Sequence, residues 1–333
     1  MKSEKTILID SRWAGNTGIG RLYQEVINYA PSALSYEYVE SKMGLGNLLT
    51  PLMLGEEIKK SNADVFYSPS FMPPAFSKIP FIFTVHDLMH LFYYSKLHKI
   101  YYEQIIARLA KKAQKIITVS HFSKNQLVDI LGIPDALIKV IYNGVDGHFL
   151  ENNEEYESDH PYFLYVGNRR KNKNIPAMLT AFANAKIPNE FMFYLSGNPD
   201  SELEPLINSL GIQKRVRFLG FIEEQDLPKL YKGAHATLFA SLMEGFGLPV
   251  IESMASGTPV LTSSTSSLPE IAGGAALCVD PTEVSAIQTG IEKLVNDEVF
   301  YVECVLKGLE RAREFSWEKT AKETWDTILS KSF

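Results

Sequence analysis

Short apolar runs recur along this chain. Each is followed by a turn rich in small or polar residues and then by a stretch with helical spacing. In the first half the runs fall at 5–10, 65–67, 81–85, 115–119 and 139–142. In the second half they fall at 162–166, 191–195, 216–219, 237–240, 259–262 and 276–279. Near-continuous apolar runs of this length separated by helical patterns predict strands covered on both faces, the signature of an α/β fold with parallel sheets. The series is interrupted once. Asn143-Gly-Val-Asp146 reads as a turn, and the polar, acidic stretch 151–160 reads as a linker. With 333 residues, at roughly 150 per domain, two domains are expected. They are 1–155 and 160–315, with a closing helix in 316–333.

The most informative stretch is 241–264, SLMEGFGLPVIESMASGTPVLTSS. An apolar run ends at Ala240, a turn with Gly245 and Gly247 follows, and Pro249 suits a first helical position. Helical spacing then continues over 250–256, and Gly257 stands where a C-terminal cap belongs. This reading puts Glu244 in the turn and Glu252 in the first helical turn. Free N–H groups at such a helix start attract an anion, and the glycines let a ligand approach the backbone. A phosphate-bearing ligand with hydroxyls for the two carboxylates fits. The alternative is that Glu252 only complements the helix dipole and Glu244 is a solvated loop acid.

Other polar clusters sit where apolar runs end, the place where open α/β sheets collect functional residues. The first is 15–20, with Gly15, Gly18 and Gly20 before a helical stretch. It is a poor match to a dinucleotide fingerprint, because Tyr23 stands where the third glycine belongs. The others are Tyr67-Ser-Pro-Ser70, His86-Asp87 and Ser120-His-Phe-Ser123. His86, directly after an apolar run, is the best placed of the seven histidines. His121 reads as a helix-start residue and His235 as packing, while His90, His98, His148 and His160 fall in loops or on helix surfaces. In 167–174, Arg169, Arg170, Lys171 and Lys173 follow a strand and precede a helix, an arrangement that can clamp a diphosphate.

Composition changes this picture little, and charge changes it more. The chain is 45% hydrophobic and 22% charged, ordinary for a globular protein. No apolar run reaches the roughly 18 residues of a membrane span, and residues 1–5 are polar, so a cytoplasmic protein is expected. Cys278 and Cys304 lack metal-site spacing and read as buried thiols. The net charge of −6 conceals an asymmetry: 16 Lys/Arg against 13 Asp/Glu in 1–150, and 17 against 26 in 151–333. Six cations stand against Glu103 alone in 96–115, with Tyr101, Ile105, Ile106 and Leu109 between them. This reads as a basic amphipathic helix. It is either a solvated face over a core or a contact with an anionic membrane surface. No nucleic-acid partner is expected.

Taken in order, the motifs resemble those of retaining glycosyltransferases of family 4, which have the GT-B fold. Besides Glu244-Gly-Phe-Gly-Leu-Pro-Val-Ile-Glu252, they include Thr17-Gly-Ile-Gly-Arg21, Thr84-Val-His-Asp-Leu88, Tyr142-Asn-Gly-Val-Asp146, Tyr165-Val-Gly167 with Lys173-Asn174, Leu268-Pro-Glu270 and Phe315-Ser-Trp317. The resemblance implies two Rossmann-like domains facing a cleft, the first mainly acceptor-side and the second binding a nucleotide-sugar donor. It implies Glu252 at the donor ribose, and Glu244 with Gly245, Phe246 and Gly247 at the hexose. Leu248 would face the phosphates, with Lys173 and one of Arg169 or Arg170 on the diphosphate. Gly18 would approach it from the other domain, and His86 would lie near the transferred sugar. It also implies metal-independent transfer, in keeping with the absence of any Asp-x-Asp pair. The subgroup resembled builds bacterial surface polysaccharide such as O-antigen. It suggests GDP-mannose as donor, a lipid-linked acceptor, and a place at the inner face of the cytoplasmic membrane. Soluble-acceptor glucan or sucrose synthase-like enzymes and phosphorylases share the fold, and a non-catalytic sugar-nucleotide-binding protein is a further alternative.

Overall fold

The computed structural model describes residues 5–15, 17–93 and 96–330. The chain folds into two units. The first comprises the chain up to Gly144 and the segment from Ser316, and the second is Val145–Phe315.

The first unit is a six-stranded parallel sheet. Its strands are β1 (Thr6–Ile9), β2 (Ser35–Tyr38), β3 (Val65–Ser68), β4 (Phe81–Val85), β5 (Lys115–Thr118) and β6 (Ile138–Val140), in the order β2-β1-β3-β4-β5-β6. Every residue of β3 and β4 is buried, which is why these strands read as unbroken apolar runs. The sequence pattern misses β2. It is a sheet edge with no buried residue, so Ser-Tyr-Glu-Tyr needs no apolar run to pair with β1. Helices α1 (Gly18–Asn28), α2 (Thr50–Lys60), α3 (Met89–Tyr93), α4 (Lys96–Tyr101), α5 (Ala107–Ala110) and α6 (His121–Asp129) connect the strands. Leu54 and Ile58 of α2, Ile106 and Leu127 close over Leu8, Phe66, Phe83 and Ile116 of the sheet.

The expected amphipathic helix over 96–115 is corrected. After α4, a π-helical turn (Tyr102–Ile106) shifts the helix register, α5 ends at Ala110, and Lys115 belongs to β5. The shift lets Tyr101, Tyr102 and Ile106 reach the core together. His90 is also not a surface residue. Its ring lies 3.7 Å from that of Tyr102 and 5.6 Å from that of Phe71.

The second unit repeats the architecture with β7 (Tyr162–Tyr165), β8 (Met192–Leu195), β9 (Val216–Phe218), β10 (Ala236–Phe239), β11 (Val260–Ser263) and β12 (Leu277–Val279), in the order β12-β11-β10-β7-β8-β9. Its helices are α7 (Gly147–Glu151), α8 (Ile175–Asn184), α9 (Leu203–Ser209), α10 (Leu227–Gly233), α11 (Leu248–Ala255), α12 (Leu268–Ala272), α13 (Val284–Asn296) and α14 (Glu298–Ala312). Read from β7 outward in both directions, this is the doubly wound Rossmann order. Its topological switch point lies between β7 and β10. The division between the units falls at Gly144, not in 151–160. That acidic stretch stays with the second unit, where the Tyr156 N–H donates to the Lys229 carbonyl at 3.0 Å and Ser158 meets the Tyr194 hydroxyl at 2.8 Å.

The last helix, α15 (Trp317–Leu329), returns to the first unit and packs on α1. Ser316 caps it, and the Thr320 hydroxyl donates to the Tyr142 carbonyl at 2.6 Å. A Cβ on Gly144 would fall 2.1 Å from the Trp317 nitrogen, so only glycine lets the turn seat there. Trp325 is 3% exposed, donates from Nε1 to the Val26 carbonyl at 2.8 Å, and meets the Tyr36 ring edge-on. Trp325→Ala should therefore destabilise the first unit by about 3–5 kcal/mol. Urea unfolding followed by circular dichroism checks it, and a loss below about 1 kcal/mol would show that α15 is dispensable.

Candidate donor site in the second unit

The loops that follow β7 and β10 meet at the switch point, and three consecutive residues join them. The Leu242 N–H donates to the Asn172 carbonyl at 2.7 Å, and the Asn172 side chain donates to the Met243 carbonyl at 3.1 Å. Lys173 Nζ lies 2.6 Å from Glu244 Oε1, the two side chains only 12% and 8% exposed. Asn174 takes a left-handed conformation (φ 58°), and its amide donates to the carbonyls of Ala240 at 3.0 Å and Pro281 at 2.7 Å. Glu244 is thus no solvated loop acid. The Ser267 hydroxyl lies 3.0 Å from the carbonyls of both Glu244 and Phe246, tying down the turn from its far side.

Beyond this turn the backbone passes through Gly247 with φ 110°, and a Cβ there would stand 2.6 Å from Leu268. That left-handed residue serves as the N-cap, so α11 starts at Leu248 and Pro249 is its second residue. The start one residue early moves Glu252 out of the first helical turn, and the simple dipole reading of this acid falls with it. Glu252 instead accepts from the Tyr231 hydroxyl at 2.9 Å. Burial and the neighbouring carboxylate drive the Tyr231 pKa well above its ordinary value, so the phenol keeps its proton. The N-cap of α11 is a glycine and so offers no side chain of its own to the first N–H groups of the helix. The arrangement offers two oriented carboxylates on either side of a helix start whose N-cap carries no side chain. It suits a ligand carrying hydroxyls and a phosphate.

The cations after β7 separate into different environments. Lys173 joins the pair with Glu244 and lies 5.3 Å from the Phe239 ring centroid. Arg169 turns away toward the β8 end. It donates to the carbonyls of Ser196, at 2.8 Å, and Asn198, pairs with Asp200, and stacks on Phe218. Arg170 and Lys171 are exposed.

The other two sequence candidates lie in the first unit. Gly18 opens α1, where the Thr17 hydroxyl caps the Gly20 N–H at 3.0 Å. His86 follows β4, with its Nε2 at 2.8 Å from the Pro69 carbonyl. A carbonyl only accepts, so Nε2 carries the proton and Nδ1 is the acceptor. Burial lowers the His86 pKa to about 4. His121 opens α6 after Ser120, and His235 packs between Phe191 and Tyr301, as their sequence positions suggest. Sequence reasoning missed Tyr231, Asn172 and Ser267. Asn172 had a signal in its place between Lys171 and Lys173, whereas nothing local to Tyr231 or Ser267 announces a partner twenty residues away.

Similarity to known proteins extends over both units. Residues 149–313 match the model of the glycosyl transferases group 1, and residues 18–148 match that of Glycosyltransferase Family 4. The Escherichia coli O-antigen chain mannosyltransferase B is 28% identical over 78% of this chain and 72% of its own. The O-antigen chain mannosyltransferase RfbU of Salmonella typhimurium is 30% identical over 63% of this chain and 60% of its own. Among solved structures, the Anabaena protein HepE, in complex with UDP and glucose, superposes with a TM-score of 0.76. It covers 98% of this chain and 99% of its own at 18% identity, a likeness of fold.

Two outcomes follow from the geometry. Lys173→Met leaves the Glu244 carboxylate nearly buried without its cation and should cost about 3–5 kcal/mol. Adding Glu244→Gln should recover much of that loss in a double-mutant cycle by urea unfolding, and independent effects of the two changes would show that the pair is not coupled. For His86, the folded pKa of about 4 lies below the roughly 6.5 of an unfolded chain. Between those values the unfolded state binds a proton that the folded state does not, so stability falls as the pH drops from about 6.5 to about 4. His86→Gln should remove on the order of 3 kcal/mol of that decline, and an unchanged pH profile of stability would refute a neutral imidazole at this position.

Proposed function

Because this chain belongs to the GT-B glycosyltransferases, we propose that it is a retaining, metal-independent hexosyltransferase of family 4. Its donor is a nucleotide sugar, GDP-mannose before others. Its acceptor is a growing, lipid-linked glycan of a bacterial surface polysaccharide. The observation that carries the reading is the convergence of the two loops at the β7/β10 switch point. There Glu244 is fixed by Lys173, Glu252 is fixed by Tyr231, and α11 starts behind a glycine N-cap. The naming of two relatives as O-antigen mannosyltransferases supports the choice of sugar and acceptor.

In this reading Glu252 accepts hydrogen bonds from the donor ribose, an orientation that the Tyr231 hydroxyl sets. Glu244 and the Gly245-Phe246-Gly247 turn hold hexose hydroxyls. The bond between the sugar and the phosphate breaks, a bond to the acceptor oxygen forms on the same face, and the acceptor proton passes to the departing phosphate oxygen. Negative charge grows on the leaving diphosphate. Leu248 at the start of α11, Lys173 and one of the arginines stabilise it in place before the reaction begins. Gly18 contributes a side-chain-free approach to the diphosphate. His86 is neutral at pH 7 and offers Nδ1 as an acceptor to a sugar hydroxyl; it does not act as an acid. No protein nucleophile is assigned.

A thermal-shift screen of nucleotide sugars tests the donor, since a ligand that binds the folded state raises its melting temperature. GDP-mannose should give the largest shift, and Glu252→Ala should weaken that ligand at least tenfold. Turnover should persist in EDTA, and NMR should find the product anomer the same as the donor's. An unchanged donor affinity in Glu252→Ala would remove the ribose assignment. Loss of turnover in EDTA would remove metal independence. Efficient transfer to free glucans would point instead to a soluble-acceptor enzyme, and donor binding without any transfer to a non-catalytic protein.

A further inference from the structure

The first unit has a topological switch point of its own. The chain leaves β1 for the edge strand β2 and comes back on the other side of β1 as β3. The carboxyl ends of β1 and β3 therefore border a crevice of the kind that takes ligands in open α/β sheets. Two charged side chains stand there. Asp10 directly follows β1 and is fully buried, and Arg12 lies in the single 3-10 turn (Ser11–Trp13) that comes next. Arg12 Nε and Nη2 donate to the two Asp10 carboxylate oxygens, each at 2.8 Å. The Ser68 hydroxyl, at the end of β3, donates to the same carboxylate at 3.2 Å, so the group spans both strands.

Tying β1 to β3 uses only part of the guanidinium. Arg12 Nη1 is buried without an acceptor among the described residues, on a side chain only 7% exposed. The indole N–H of Trp13, next in the chain, is also buried without one. Buried donors in native chains are nearly always met, so two unmet ones in a single turn ask for a partner. An arginine held through Nε and Nη2 still presents Nη1 beside Nη2, a planar fork that fits two neighbouring oxygens. Ser70, 3% exposed, brings a hydroxyl two residues beyond Ser68. The carbonyl of Pro69, between those serines, holds His86 at the same end of the sheet. Ala14, Gly15, Thr17 and Gly18 are exposed, so the turn carrying Arg12 borders solvent on the side of the glycine loop.

Charge decides the class of ligand. Asp10 cancels Arg12, and Arg21 on the neighbouring α1 pairs with Glu25 at 3.2 Å. A phosphate or carboxylate would add an uncompensated negative charge to a nearly buried, neutral group of side chains. Adjacent hydroxyls of a sugar meet the fork without that penalty. We propose that Arg12, with Ser70, binds two adjacent hydroxyls of a neutral hexose, and that this hexose is the acceptor sugar. The acceptor role rests on the glycosyltransferase reading above, whereas the sugar site does not.

The test is NMR titration of the full chain with the methyl glycosides of mannose, glucose, galactose and N-acetylglucosamine, with inorganic phosphate as competitor. At least one glycoside should bind, and phosphate should not displace it. Arg12→Lys keeps a cation for Asp10 but removes the fork, and should weaken that glycoside by about tenfold or more. Ser70→Ala should weaken it by about fivefold. If Arg12→Lys does not fold, Asp10→Asn with Arg12→Gln, which buries no charge, carries the same expectation. In transfer assays the KM for the glycoside should rise in these variants while the donor-induced thermal shift stays as it was. Binding of none of the four glycosides, undiminished binding by the Arg12 variant, or displacement by phosphate overturns the proposal. So does an equal loss of the donor-induced shift, which would make Arg12 a support of the fold alone. Arg12-dependent binding without transfer to the bound glycoside leaves the sugar site standing and removes its acceptor role. Transfer to a glycoside whose KM the variants leave alone removes the site and keeps the glycosyltransferase reading.

Discussion

The ion pair between Lys173 and Glu244 is the constraint on which the candidate site depends. Each residue follows the carboxyl end of a strand, Lys173 at the end of a single 3-10 turn and Glu244 in an irregular loop. The pair sits nearly buried, where the desolvation of two charges is offset only when geometry and neighbouring hydrogen bonds are good. Those neighbours are present. Asn172 and Asn174 bind the β10 loop on either side of Lys173, and Ser267 holds it from α12's side. Remove the pair and the loops keep their backbone ties, but Glu244 loses the partner that sets its direction.

The pairing also bears on how the proposed reaction divides its electrostatics. A lysine already neutralised by a carboxylate at 2.6 Å is a weaker attractor for a diphosphate than an isolated cation. Arg169 is committed to the carbonyls of Ser196 and Asn198 and to Asp200. In that reading, the oriented backbone at the start of α11 and the exposed Arg170 take a larger share of the developing charge than the count of cations in 169–173 suggests. Fixed dipoles suit this work, because they need no reorganisation as charge moves.

Much of the fold was legible because it is written in buried strands. Runs such as Phe81–Val85 and Val260–Ser263 are apolar or small throughout, since helices cover both faces, and the alternation with helical spacing follows. The edge strand Ser35–Tyr38 was illegible for the converse reason, as one side of it meets no partner strand. The unit boundary lies at Gly144 and not in 151–160, because the polarity that reads as a linker also suits a surface segment held by backbone bonds such as that from Tyr156. At the site, the residues with special backbone needs or local motifs were visible: Glu244, Gly247 and Glu252. Tyr231 and Ser267 act on residues 21 positions away or more, and only the tertiary fold brings them there.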